Sequence, residues 1–157
     1  MIDVILKGDV KTPRRATLKS VGYDFYAPET IELKPGEWTV IDTGVCVGGK
    51  VASIKVRQKL FWKFWRTKEY TLDQWFMLVL PRSGLGNKYG FRIRGTGGVI
   101  DQDYMGTIKL TVTVDEPYTL EKDERMAQGI ITPFATFDDE IPPEKERNGG
   151  HGSSGRF

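Results

Sequence analysis

The sequence has very few of the groups that form covalent cross-links or metal cages. It contains a single cysteine, Cys46, and a single histidine, His151, among 157 residues. One cysteine excludes an internal disulfide and fits a reducing cytosol. A zinc site at His151 is not expected, because no second histidine or cysteine is available. Valines flank Cys46 on both sides, which predicts a buried strand cysteine rather than a reactive thiol.

Long apolar runs and an excess of charge of one sign are also missing. No segment approaches the roughly 18 apolar residues of a membrane span. The apolar start of the chain is short and is interrupted by Asp3, unlike a signal peptide. Lysine and arginine number 23 against 21 acidic residues, so composition does not single out nucleic acid or an acidic partner. We therefore expect a cytoplasmic protein with no membrane contact.

Short apolar runs separated by frequent turn residues predict a single all-β domain. The chain has 18 glycines and 8 prolines, and it is long enough to bury a core unaided. One helical turn is expected over 85–90, ended by Gly90. Residues 42–44 are expected to interrupt a strand as a bulge. The predicted strands are 2–6, 20–27, a strand from 31, 38–47, 78–80, 99–100, 108–114 and 125–134.

The central stretch, 95–109, predicts a tight hairpin that opens with glycines and carries an acid and an aromatic ring. Glycines without a Cβ let a flat ligand approach the backbone closely. Asp101 follows a short apolar strand, which would place its carboxylate at the mouth of a pocket, and Tyr104 lies three residues further on. These groups suit a small polar ring attached to a sugar. An ordinary β-turn with surface acids is the alternative. The glycines are Gly95, Gly97 and Gly98.

A second stretch, Pro-Arg-Ser-Gly-Leu at 81–85, predicts an anion site. A strand that turns sharply into a helical turn directs successive N–H groups to one place, and Arg82 and Ser83 add charge and a hydroxyl. An ordinary turn is the alternative. Arg125 and Gln128 begin a later strand and become relevant only beside such an anion site.

The end of the chain is acidic and then rich in glycine, with little apolar content, which predicts a mobile tail. Its residues are nevertheless those of a phosphate clamp: Arg147, the glycine amides, and the hydroxyls of Ser153 and Ser154. His151 lies between Gly150 and Gly152, so its ring could swing onto a flat base.

Residues 48–77 differ in composition, because cations alternate there with aromatic residues. Three of the four tryptophans lie in this insert: Trp62, Trp65 and Trp75. Such residues can stack on and steer single-stranded nucleic acid, or bind a protein partner. The alternative is an extended hairpin whose aromatics pack on the body while its lysines are solvated.

Five short segments resemble, in order, the five motifs of the trimeric dUTPase family. They are Val-Gly-Tyr-Asp-Phe-Tyr-Ala at 21–27, Pro-Arg-Ser-Gly-Leu at 81–85, Gly-Val-Ile-Asp-Gln-Asp-Tyr-Met-Gly at 98–106, Arg-Met-Ala-Gln at 125–128 and Gly-Gly-His-Gly-Ser-Ser-Gly at 149–155. Two departures stand out. His151 replaces the family's usual phenylalanine, and the spacing from Arg147 to Gly149 is one residue shorter than usual.

The resemblance implies a subunit with a distorted jelly roll (β-clip) over 1–141 and a flexible C-terminal arm over 142–157. It also implies a homotrimer with active sites at subunit interfaces, and Mg²⁺ as cofactor. The insert suggests a phage-encoded member. The implied reaction is hydrolysis of dUTP to dUMP and pyrophosphate, which supplies dUMP for thymidylate synthesis and keeps uracil out of DNA.

The resemblance also implies a role for each matching residue. Asp101 would deprotonate the attacking water, and Tyr104 would pack on the deoxyribose and exclude a 2′-hydroxyl. Asp24 would lie near the metal through water, although its strand pattern alone favours a structural acid. Uracil would contact the backbone of Gly95, Gly98, Val99 and Ile100. The phosphates would contact Arg82, Ser83, Gly84, Arg125 and Gln128. The arm would contribute Arg147, His151, Gly152, Ser153 and Ser154.

Two other functions stay open on the sequence. A dCTP deaminase relative would share the fold, but that branch uses a glutamate in the hairpin and a different phosphate motif. A binding or regulatory module with this fold would instead act on a protein or nucleic-acid partner through 48–77.

Overall fold

The computed structural model describes residues 2–48, 74–134, 136 and 139, together with the backbone of 52–60 and 64–72. Within these residues the chain forms thirteen strands and one short helix. They are β1 (Asp3–Leu6), β2 (Tyr23–Tyr26), β3 (Ile31–Leu33), β4 (Thr39–Asp42), β5 (Val45–Gly48), β6 (Ala52–Leu60), β7 (Phe64–Leu72), β8 (Trp75–Pro81), α1 (Ser83–Tyr89), β9 (Arg92–Ile93), β10 (Gly98–Asp101), β11 (Lys109–Thr113), β12 (Tyr118–Leu120) and β13 (Arg125–Pro133).

The strands form small antiparallel sheets around one apolar core, and they confirm the predicted all-β, jelly-roll-like class. A four-stranded sheet has the order β10-β8-β13-β2, and a three-stranded sheet has the order β4-β11-β9. Three further pairs are β1-β5, β12-β3 and β6-β7. No helix among the described residues is long and apolar enough to cross a membrane.

The core is formed by buried apolar side chains of the strands and of the segments that join them. Along β8 buried and half-buried residues alternate, as the period of two along a strand requires. Phe25 of β2 and Trp75 of β8 are fully buried, and Phe91 is 1% exposed. Cys46 is 2% exposed, which confirms the prediction of a core cysteine, and its thiol donates to the Met105 carbonyl at 3.4 Å.

The strand β8 corrects one boundary. We expected a strand from residue 78, with the insert running to 77, but β8 begins at Trp75 and buries Trp75 and Met77. Trp75 is therefore a core residue and not part of an exposed aromatic surface. The backbone of the insert forms a two-stranded antiparallel hairpin from Ala52↔Leu72 to Leu60↔Phe64. An extended hairpin was one of the two interpretations of this insert, and the role of its side chains stays a prediction.

The break at 42–44 is also different from the expected bulge. β4 pairs with β11, whereas β5 pairs with β1, so the chain changes sheets there. Gly44 makes the change with φ +67°, and a Cβ at this glycine would lie 2.6 Å from the Lys7 carbonyl oxygen. The helix α1 begins at Ser83, two residues before the expected turn, and Gly90 ends it in the left-handed conformation.

Candidate active site

The glycine-opened hairpin forms as predicted, and the structure explains why one of its glycines is needed. β10 pairs with β8, with Gly98 opposite Val79 and Asp101 opposite Phe76. Gly95 turns the chain with φ +77°. A Cβ at Gly97 would lie 3.0 Å from the Val79 carbonyl oxygen. The missing side chain at Gly97 therefore allows close packing on β8, and the ligand approach expected at these glycines stays a prediction.

A cavity of about 440 Å³ lies beside this hairpin, and we call it the hairpin pocket. Its size falls within the range of small-molecule sites. Five residues that we had predicted to contact the nucleobase or the sugar line this pocket. Asp101, the predicted general base, lines it as well. The pocket is lined by Ile93, Arg94, Gly95, Gly97, Gly98, Val99, Ile100, Asp101, Tyr104, Lys109, Leu110 and Thr111.

Tyr104 is held rigidly at this pocket. Its backbone N–H donates to the Asp101 carbonyl at 3.1 Å, which closes the turn. Its hydroxyl donates to the Thr107 carbonyl at 2.9 Å. The ring lies against Gly106, where a Cβ would come within 2.6 Å of the tyrosine oxygen. Asp101 itself is exposed at the last position of β10, where a carboxylate can reach solvent and a bound substrate.

Asp24, Arg82 and Arg125 form a second group, which we call the arginine cluster. Asp24 is only 6% exposed. Its Oδ1 lies 3.2 Å from Arg82 Nε, and its Oδ2 accepts from Arg125 Nη1 at 3.4 Å. This arrangement supports the structural interpretation of Asp24, because each carboxylate oxygen already faces a guanidinium. Water-mediated metal contact at Asp24 stays a prediction.

Three strands assemble the arginine cluster with Gln128. Residue Asp24 of β2 lies opposite Gln128 of β13, and Gln128 lies opposite Leu80 of β8. The Gln128 side chain covers Gly22, where a Cβ would lie 2.9 Å from its amide oxygen. Ser83 and Gly84 then begin α1 directly after Arg82. The structure thus brings together the residues that we had predicted at the phosphates.

The two groups do not meet within one chain. Asp101 is opposite Phe76 near the start of β8, whereas Arg82 follows the end of that strand. Six residues of strand separate these positions, or about 20 Å at the usual rise per residue. None of the arginine cluster lines the hairpin pocket. Asp101 and the arginine cluster are therefore well separated within one chain.

The described residues contain no group of three or more histidine, cysteine or acidic side chains that could hold a metal ion. The predicted arm residues all lie outside the described part of the chain: Arg147, His151, Gly152, Ser153 and Ser154.

Sequence reasoning missed three residues beside the pocket: Asp42, Thr107 and Lys109. Lys109 lines the pocket, and its Nζ lies 3.7 Å from Asp42 Oδ2. The same carboxylate oxygen accepts the Thr107 hydroxyl at 2.9 Å. The alternation of β11 places Lys109 on its polar face, but only the pairing of β4 with β11 brings Asp42 to it.

Comparison with known proteins gives a consistent picture. A model of the dUTPase family matches residues 73–155. The deoxyuridine 5′-triphosphate nucleotidohydrolase of Lactococcus lactis subsp. lactis is 31% identical, over 93% of this chain and 89% of the relative. The protein of that name from Neisseria meningitidis serogroup A is 33% identical, over 91% of this chain and 87% of the relative.

Solved structures of phage proteins show the same fold. The dUTPase of Staphylococcus bacteriophage 80alpha, solved with dUpNHpp, has a TM-score of 0.68 and 24% identity, covering 99% of this chain and 98% of that chain. The dUTPase of phage phi11 of S. aureus, solved to visualise a species-specific insert, has a TM-score of 0.66 and 21% identity, covering 93% and 98%. At these identities the likeness supports the fold, and a phage source stays a prediction.

Proposed function

The chain belongs to the dUTPase family, and we propose that it hydrolyses dUTP to dUMP and pyrophosphate. The observation that carries the proposal is the hairpin pocket, which combines Asp101, Tyr104 and the backbone of β10 in one cavity. Its volume of about 440 Å³ suits a nucleoside. Backbone groups of the hairpin would bind the uracil, and the Tyr104 ring would pack against the deoxyribose.

In the proposed reaction Asp101 acts as a general base. Its carboxylate takes a proton from a water molecule while the water oxygen forms a bond to the α-phosphorus. The bond from that phosphorus to the bridging oxygen of the β-phosphate breaks, and pyrophosphate leaves with the electron pair. Such a step depends on the position of the water and on charge stabilisation at the phosphates.

The arginine cluster supplies positive charge for the phosphates. Arg82 and Arg125 flank Asp24, and their side chains are 32% and 47% exposed. Each guanidinium therefore keeps donors accessible to a substrate oxygen while Asp24 restricts its orientation. Gln128 and the backbone at Ser83 and Gly84 would add neutral donors.

We further propose that each active site is shared between copies in a homotrimer. The separation of about 20 Å between Asp101 and Arg82 along β8 supports this, because one triphosphate must reach both half-sites, the hairpin pocket and the arginine cluster. The hairpin pocket of one subunit would face the arginine cluster of another. The body over 1–141 would carry these half-sites, and the arm over 142–157 would close over the nucleotide. His151 would lie at the base, with Arg147, Gly152, Ser153 and Ser154 near the terminal phosphates.

Mg²⁺ is the proposed cofactor, and it would neutralise charge on the triphosphate. The donor set fits a cation held mainly by substrate oxygens and water, since Mg²⁺ commonly keeps several waters and needs no protein cage. Asp24 would contact it only through water, because each of its oxygens already faces an arginine.

The activity is tested by pyrophosphate release with Mg²⁺ from dUTP, dCTP, dTTP and UTP in parallel. We expect release from dUTP and little from the others. Asp101→Asn should still bind nucleotide but lose turnover by about 10²- to 10⁴-fold, the usual contribution of a general base. Asp103→Asn, in the same turn, is the matched control. Ammonia release from dCTP, or full activity of Asp101→Asn, would overturn the proposal.

The shared site is tested by complementation. Arg82→Ala and Asp101→Asn chains should each be inactive as homotrimers. Co-expressed, they form mixed trimers in which some sites combine an intact pocket with an intact arginine cluster, so part of the activity should return. If activity does not return in verified mixed trimers, the two half-sites do not come from different copies.

A further inference from the structure

A chain of hydrogen bonds ties the turn that carries Tyr104 to the end of β4. The Tyr104 hydroxyl donates to the Thr107 carbonyl at 2.9 Å, and the Thr107 hydroxyl donates to Asp42 Oδ2 at 2.9 Å. Asp42 Oδ1 accepts the N–H of Gly44 at 3.0 Å. We call Asp42, Thr107 and Tyr104 the brace.

The peptide group between Thr107 and Ile108 carries the carbonyl that accepts the Tyr104 hydroxyl. This peptide group is restrained on both sides. On one side the N–H of Ile108 donates to the Val45 carbonyl at 2.8 Å. On the other side the Thr107 side chain is held by Asp42. The Thr107 carbonyl oxygen, between these two restraints, therefore has a defined position. A tyrosine hydroxyl bonded to it has a defined position as well.

Contacts outside the brace also hold the chain at this place. The buried Thr43 donates to the Ile108 carbonyl with both its backbone N–H, at 3.0 Å, and its hydroxyl, at 2.8 Å. Ile108 itself is fully buried. The path of the chain into β11 is thus secured by Thr43 and the core, whereas the Asp42 side chain is 48% exposed. The effect left for Asp42 and Thr107 is local, at Tyr104.

Lys109 explains how a carboxylate can stand near a polyanionic substrate. Its Nζ lies 3.7 Å from Asp42 Oδ2, and Lys109 also lines the hairpin pocket. The lysine offsets the negative charge of Asp42 on the side facing the pocket. A hydrogen bond from the Thr107 hydroxyl to a carboxylate is stronger than one to a neutral acceptor.

We propose that Asp42, acting through Thr107, is a positioning residue that holds the Tyr104 ring at a fixed depth in the hairpin pocket and thereby sets the discrimination between deoxyribose and ribose. This inference rests on the proposed function, in which Tyr104 packs against the sugar. A ring that excludes a single added oxygen must hold its place closely, because a small displacement opens room for the 2′-hydroxyl. A 2′-deoxy substrate needs no such room and should be affected less.

The test is the ratio of kcat/KM for dUTP to kcat/KM for UTP. Thr107→Val keeps the shape of the side chain but removes the donor, and we expect the ratio to fall about five- to tenfold, as the loss of one typical hydrogen bond implies. Asp42→Ala should lower the ratio to a similar extent. Thr107→Ser restores a hydroxyl and should restore the ratio. Asp9→Ala, which removes an exposed carboxylate paired with Lys122, is the control and should leave the ratio unchanged.

Tyr104→Phe removes the hydroxyl at the other end of the brace and leaves Asp42 and Thr107 unchanged. If Thr107→Val does not fold, this variant provides the test. It should lower the ratio as Thr107→Val does. The double variant should lower it no further, because both changes remove the same chain of contacts.

The other outcomes separate this inference from the proposed function. An unchanged ratio in folded Thr107→Val or Tyr104→Phe, with dUTP still hydrolysed, overturns the inference alone. Equal losses with dUTP and UTP also overturn it, because they indicate a structural role only. Wild-type protein that does not hydrolyse dUTP overturns both.

Discussion

Replacing Asp24 by asparagine tests the arginine cluster most directly. Asparagine has nearly the same shape, but it offers one acceptor oxygen and one donor NH₂ group. Asp24 uses both oxygens, Oδ1 toward Arg82 and Oδ2 toward Arg125. In Asp24→Asn one arginine keeps an acceptor, while the other faces the NH₂ group and meets a donor. Neither amide orientation satisfies both guanidinium groups.

The size of the effect follows from the burial and length of these contacts. A hydrogen bond to a charged group contributes about 1.5–3 kcal/mol. The contact to Arg125 is long, at 3.4 Å, and the two arginine side chains are 32% and 47% exposed, so solvent screens both. We therefore expect Asp24→Asn to lower the free energy of unfolding by about 2 kcal/mol.

Urea unfolding at fixed protein concentration measures this change, since the stability of an oligomer depends on concentration. Asp115→Asn is the matched control, because Asp115 also pairs with an arginine, Arg92, but its side chain is 61% exposed. An exposed pair of this kind should contribute less than about 1 kcal/mol. The loss in Asp24→Asn should also persist better at high salt, as the buried carboxylate is screened less.

The same variant has an expected effect on the reaction. If Asp24 orients Arg82 and Arg125 for the phosphates, its loss should raise KM for dUTP, by about tenfold for each 1.4 kcal/mol of binding lost. An Asp24→Asn protein that is no less stable than Asp115→Asn would refute the reasoning about the cluster. If Asp24→Asn loses stability as expected but its KM for dUTP is unchanged, Asp24 has a structural role only.

Two further predictions concern stability. Gly129→Ala would place a Cβ 2.7 Å from Met77 Sδ and 2.8 Å from Phe25 Cε2. It should lower the urea-unfolding free energy by about 1–3 kcal/mol, whereas Gly48→Ala, whose nearest neighbour would be 4.0 Å away, should change it little. Burial, and the hydrogen bond to Glu124, raise the pKa of Tyr118 above its ordinary value of 10.0. The folded protein then keeps this proton while the unfolded chain loses it, so stability falls as pH rises above about 10. Urea unfolding of the wild type and of Tyr118→Phe should be compared as the pH rises above about 10. The variant should lose less unfolding free energy, and equal losses in both proteins would contradict the raised pKa of Tyr118.

The general class of the fold could be predicted from local patterns. The alternation along β11, the apolar residues of β13 and turn residues such as Gly90 depend on neighbours within a few residues, and the structure has both strands and the helix end at Gly90. The predicted start of β8 was wrong by three residues, at a point where composition changes. Trp75 and Met77 looked like part of an aromatic insert, but tertiary packing buries both in the core. Trp75 opens the apolar run 75–80, which contains no cation, so the composition of the preceding hairpin had been extended too far along the chain.

The identity of the site residues was also accessible from the sequence, but their contacts were not. Asp101 and Tyr104 stand within nine residues of Gly95, Gly97 and Gly98, which shape their hairpin, so their grouping is local. The contact of Asp24 with Arg82 and Arg125 joins residues up to 101 positions apart, and that of Asp42 with Thr107 joins residues 65 apart. Such pairs follow from strand register, which depends on the whole sheet.

The sequence by itself determined an all-β chain with a glycine-opened hairpin, an exposed acid at Asp101 and cationic residues suited to phosphates. These properties follow from side-chain chemistry and from the period of two along a strand. The tertiary structure alone decided that Asp24 pairs with two arginines, that Thr107 links Tyr104 to Asp42, and that the length of β8 separates Asp101 from Arg82 by about 20 Å. Distances between strands are set by pairing and core packing, which no short segment contains.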